Sequence, residues 1–166
     1  KALQSCSGVT LNVQIKFTVN KNKYSGSGPI LITHKGFSGP VILKLSAFSA
    51  RTLHSNKYNG ELIINWLCLN ENEVRSKLDL FKMENGKKFL FNNKPFKKLP
   101  RNLWNALLLS VKIDNNIKWA DLTKRDKEAL VKCLTMDSHL INSRGPFGEE
   151  FVSAGGVSLA EINFKT

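Results

Sequence analysis

What this sequence lacks already narrows it. Its 166 residues hold only three cysteines, Cys6, Cys68 and Cys133, odd in number and far apart, with no Cys-x-x-Cys pair. A disulfide framework and a thiolate zinc site are thereby excluded, and the expectation is three ordinary thiols in a reducing cytoplasm. The histidines His34, His54 and His139 are just as scattered, so no metal site is expected. No apolar run exceeds four or five residues, as in Ala106-Leu107-Leu108-Leu109, whereas a membrane-spanning helix needs about 20. No membrane partner is expected. No signal peptide is expected, since Lys1 leads straight into polar residues and a strand pattern. A first residue other than Met is what an internal piece of a longer chain would show.

Acidic residues are also scarce, 13 against 25 Lys and Arg, for a net charge of +12. Such basicity can mark a nucleic-acid partner. The one dense stretch is Lys87, Lys88, Lys94, Lys97, Lys98 and Arg101, interleaved with Phe89, Phe91 and Phe96. Either it follows a phosphate backbone and stacks bases, or it is a solvated edge whose phenylalanines face the core. The second reading is preferred. Apolar residues make up 42% of the chain, an ordinary globular fraction, so disorder is not expected. The length suits one domain, or one domain with a small subdomain.

Val9, Leu11, Val13, Ile15, Phe17 and Val19 alternate with polar residues, which predicts a half-buried strand. A turn is expected at Lys21-Asn22-Lys23, then a short buried strand at Ile30-Leu31-Ile32, and a third strand through Leu62, Ile64 and Trp66. Between them Val41, Ile42, Leu45, Phe48 and Leu53 follow helical spacing behind Gly39-Pro40. From Asn70 the period is helical. Asn70 with Glu73 reads as a capping box, Pro100 opens a second helix and Thr123 with Asp126 a third. After Met136, Leu140 and Phe151-Val152 are strand-like again. The expected fold is α+β: a small β-barrel-like part, residues 1–69 and 136–152 with one helix near 39–53, interrupted by a helical subdomain, residues 70–135.

The segment Leu31 to Pro40 runs from a strand, through a polar turn with Gly36, toward a helix starting at Gly39-Pro40. Unpaired N–H groups at a helix start favour an anionic or carbonyl oxygen before them, and glycines allow close approach. Thr33, His34 and Ser38 supply donors. The plainer alternative is that Ser38-Gly39-Pro40 only starts a helix and His34 only satisfies a backbone group.

Thr33-His34-x-Gly36-x-Ser38-Gly39-Pro40, followed by Val41-Ile42-Leu43-Lys44-Leu45-Ser46, resembles a block of one bacterial flavoprotein family. This family comprises the aminoacetone-oxidase-like and BaiN-like NAD(P)/FAD-dependent oxidoreductases. A second block, Glu149 to Val157 and then Glu161 to Thr166, is similar to that family's return into its FAD domain. Leu99 to Leu103 and Leu122-Thr123-Lys124 fit the pattern between them. Two departures stand out. Lys35 replaces the family's usual aromatic, and Ser153 replaces a Thr, keeping the hydroxyl and losing the methyl.

The resemblance implies an insert domain that packs over the flavin and closes a substrate cavity, with residues 153–166 beginning the return segment. It implies FAD in the parent enzyme, NAD(P)H as an expected co-substrate, and two partners: the parent's FAD-binding domain and a small-molecule substrate. Thr33, Gly36, Ser38, Gly39, Ser153, Gly155 and Gly156 would face substrate or flavin, with His34 the candidate general acid. No Gly-x-Gly-x-x-Gly occurs in the sequence, so tight FAD binding and catalysis by this chain alone are not expected.

Overall fold

The computed structural model describes residues 2–142 and 161–163. Strand β1, Thr10–Val19, buries Leu11, Val13, Ile15, Phe17 and Val19 and exposes most of the residues between them, as period two requires. A two-residue turn, Asn20-Lys21, leads into β2, Asn22–Thr33, with Val19 paired to Asn22. Asn20 takes φ 55°, a conformation that asparagine tolerates. The turn therefore lies earlier than Lys21–Lys23, and β2 is far longer than Ile30–Ile32. Its first half is polar and glycine-rich and packs beside helix α1, Pro40–Ser55. A Cβ on Gly26 would stand 3.5 Å from Val41 and 3.6 Å from Leu45.

Three further strands complete one antiparallel sheet: β3, Gly36–Ser38, β4, Gly60–Asn65, and β5, Asp137–Ile141, in the order β3-β2-β1-β4-β5. The sheet curls into a half-barrel until its two edge strands meet through side chains. Phe37 of β3 sets its ring against His139 of β5, with centroids 4.8 Å apart, and lies 6.2 Å from Trp66.

Helix α1 buries Val41, Leu45, Ser49 and Leu53, an i, i+4 row. Phe48, expected on that face, is 69% exposed, and Ser49 takes its place by donating its hydroxyl to the Leu45 carbonyl at 2.7 Å. Spacings of three and four describe the same stripe in sequence. Only the packing partner chooses between them.

Helices α2, Glu71–Asn85, α3, Arg101–Ser110, and α4, Lys124–Thr135, fall between β4 and β5. The capping box at Asn70 forms as expected: its side chain accepts from the Glu73 N–H, and Glu73 accepts from the Asn70 N–H at 2.7 Å. Thr123 caps α4 by accepting from the Asp126 N–H. Trp104 and Trp119 stack with centroids 6.3 Å apart, and Phe81 meets Trp119 edge-on. Both indole N–H groups donate to carbonyls, of Leu90 and Asn93. The helical and strand halves share one continuous buried cluster.

Candidate functional site

The seam where the edge strands meet opens into a cleft of about 310 Å³. Its first wall is a hairpin tip. β2 ends at Thr33, His34-Lys35 forms a two-residue loop, and Gly36 pairs back with Thr33. The Thr33 hydroxyl holds this tip, donating to the Gly36 carbonyl at 3.1 Å and accepting from the Lys35 N–H. The second wall is the start of β5, with Asp137 and His139. The end of α3 (Leu107, Ser110) and the opening turn (Leu3, Gln4) complete the rim.

Asp137 and His139 stand two apart on one strand and so share a face. His139 Nε2 lies 2.9 Å from Asp137 Oδ2, and the Trp66 indole N–H donates to that same oxygen at 2.9 Å. A fully buried tryptophan thus fixes the carboxylate, and the carboxylate together with the Phe37 ring fixes the imidazole. Behind this pair lies Cys133. Burial, and secondarily the charge of Asp137, pushes its thiol up to about 12 against the opposing effect of a Ser110 hydrogen bond. It is no nucleophile at neutral pH. Burial likewise raises the Cys6 thiol.

Of the residues singled out in sequence, Thr33, His34 and Gly36 line the cleft, with His34 exposed at the tip. Ser38 and Gly39 do not line it. Strand β3 intervenes between turn and helix, pairing Ser38 with Leu31. Gly39, at φ 101°, is pressed onto β2: a Cβ there would lie 2.9 Å from both the Leu31 nitrogen and the Pro29 oxygen. The first helical position is Pro40, which has no N–H to offer a ligand. Ser153, Gly155 and Gly156 lie outside the described residues. Asp137, His139 and Trp66 were missed in sequence as site residues. Their signal was the Asp-x-His alternation on the strand expected after Met136, whose other face carries the 83% exposed Leu140.

The basic stretch resolves largely toward the core. Phe96 is buried against Trp104, and Phe91 packs against the core, while Phe89 is exposed beneath Lys118. Lys94 donates to the carbonyls of Phe96 and Lys97.

The described residues do not fit the pyrophosphate of FAD. The sheet is antiparallel, so no strand-helix-strand crossover of the dinucleotide-binding kind is present among them, and α1 starts on Pro40 sealed against β2. Among the described residues no group of three or more His, Cys, Asp or Glu is placed to hold a metal ion, and no helix is long and apolar enough to cross a membrane.

A curled antiparallel sheet sharing one core with a set of capped helices defines a barrel-and-helix module. The chain belongs to the HI0933-like family: the model of the HI0933-like protein barrel and H2TH domain matches residues 1–152. That family sits among the FAD-dependent oxidoreductases of the HI0933/BaiN-like type.

Proposed function

We propose that this chain is the substrate-side insert of an FAD-dependent, NAD(P)H-linked oxidoreductase, closing a cavity against the FAD-binding domain of the same parent chain. The observation that carries this reading is the seam cleft. It gathers two imidazoles, a carboxylate and an ammonium group around apolar walls. A domain so equipped orients a substrate and excludes water, while the redox chemistry belongs to a flavin held elsewhere in the parent. In this reading His34 donates a hydrogen bond toward the substrate from the hairpin tip, and Thr33 holds the tip in shape. FAD, with NAD(P)H as reductant, would supply the redox chemistry in the parent, and the chain alone would do no catalysis.

The test uses the full-length parent. It should purify with bound FAD and consume NADH or NADPH with dioxygen as acceptor. His34→Ala should keep the flavin absorbance and lower kcat with a changed pH profile, since acid–base side chains typically contribute about 10²–10⁴-fold. A variant with kcat and kcat/KM within about twofold of wild type across pH excludes a catalytic role for His34. A colourless parent overturns the oxidoreductase reading itself.

A further inference from the structure

The three thiols differ in what surrounds them. Cys6 and Cys133 are buried, and burial raises both. Cys68 is partly exposed, just past the end of β4. Two other parts of the chain close on its sulfur. The thiol donates to the Asn12 carbonyl of β1 at 3.7 Å, and Nζ of Lys98 donates to the sulfur at 3.4 Å. Lys98 is exposed and belongs to the segment that leads into α3, thirty positions further along the chain. A sulfur nucleophile and a primary amine thus stand in contact at the surface, brought together by the fold.

We propose that Cys68 and Lys98 form an oxidation-dependent cross-link, a modification site whose co-reactant is a hydroperoxide. Thiols that oxidise selectively lie in partly exposed, electropositive surroundings, and Cys68 meets both conditions where the two core thiols are buried. In the first step the sulfur attacks one peroxide oxygen. An S–O bond forms, the O–O bond breaks, and the thiol proton leaves with the second oxygen as water or an alcohol. Sulfur is oxidised by two electrons to the sulfenic acid, and the peroxide is reduced by two. In the second step the neutral amine of Lys98 attacks the same sulfur. An S–N bond forms, the S–O bond breaks, and the departing hydroxide takes an amine proton to become water. Thiol, amine and hydroperoxide are consumed one for one, and no further oxidant enters.

Geometry selects the amine as the trap. A sulfenic acid condenses with a thiol or a nitrogen that stands against it. Here that group is Nζ of Lys98, while Cys6 and Cys133 are enclosed in the core. The flexible four-carbon stem of lysine carries Nζ over the remaining distance without a backbone shift. The product ties the end of β4 to the entrance of α3 and closes a loop that contains α2. Such a link restricts the unfolded chain as a disulfide does, so the cross-linked protein should unfold at a higher temperature. The step is independent of the oxidoreductase reading, since a hydroperoxide from any source serves.

The test treats the full chain with hydrogen peroxide, blocks the remaining thiols and maps proteolytic peptides by mass spectrometry. The peptides carrying Cys68 and Lys98 should appear joined, with the chain lighter by about 2 Da, and a dithiol reductant should separate them again. Lys98→Gln should lower the yield of this product about tenfold or more and send Cys68 on to the sulfinic and sulfonic acids, which a dithiol does not reverse. Lys98→Arg keeps a positive charge beside the sulfur without the amine, and it should behave as Lys98→Gln does. That variant separates trapping by the amine from activation by its charge. Sulfinic acid at Cys68 in the wild type with Lys98 unmodified overturns the proposal, as does an unreacted Cys68 or a disulfide between two copies. So does an equal yield of the lighter product from Lys98→Arg. If neither variant folds, the peptide map of the wild type decides.

Discussion

Gly39 changes its meaning between sequence and structure. In sequence it belongs to a helix start that invites a ligand oxygen. In space it is the point where the chain crosses onto β2, with φ 101° and no room for a Cβ. Gly39→Ala should therefore act on stability, by about 1–3 kcal/mol or more, and a denaturation midpoint unchanged from wild type would refute this close approach. Cys133 gives a second residue-scale expectation. Its folded thiol titrates near 12, above the usual value of 9.0. Its contribution to stability is complete below the unfolded value and is lost as pH rises toward 12. Stability measured at pH 8 and at pH 10.5 should fall more for wild type than for Cys133→Ala. Equal falls would mean that the thiol is not buried as described. That His34 and His139 line one cleft was not legible in the sequence, because it depends on where two edge strands end up.

At the scale of elements, local chemistry was readable and long-range packing was not. The caps at Asn70 and Thr123 rest on side chains bonding to backbone three residues on, so spacing alone reveals them. Asn70→Ala should cost about 1 kcal/mol, seen as a lower unfolding midpoint, and a neutral result would show that the capping box contributes nothing. The first half of β2 escaped notice because its polar and glycine residues, Asn22 to Gly28, carry no apolar alternation. Phe48 was misplaced for the reason already given: the stripe has two solutions. Helices α2 and α4 are tied by Arg75, whose guanidinium donates to both oxygens of Glu128 at 2.9 and 2.8 Å. That hydrogen bonding holds the Glu128 carboxyl below the ordinary carboxylate range. A depressed carboxylate stabilises above its unfolded value and loses that contribution as pH falls through the folded one. The stability gap between wild type and Glu128→Gln should thus narrow between pH 7 and pH 3. A gap that stays constant would contradict the pairing, whose size is modest because both groups are solvent-accessible.

At the scale of the whole molecule, the α+β class and the helical stretch between two sets of strands follow from where the hydrophobic period changes. The curl that brings β3 against β5 does not, since closure is a non-local property of the sheet. The cleft exists only because of that closure, which explains why half of its polar lining was visible as a motif and half was not. Under the proposed function the labour is divided: this chain would shape the substrate side, and FAD would be held elsewhere in the parent. Fluorescence titration of FAD into the purified chain tests it most directly. No saturable change is expected at micromolar FAD, because the described residues contain no strand-helix-strand crossover of the dinucleotide-binding kind. Stoichiometric, saturable FAD binding by this chain alone would contradict it.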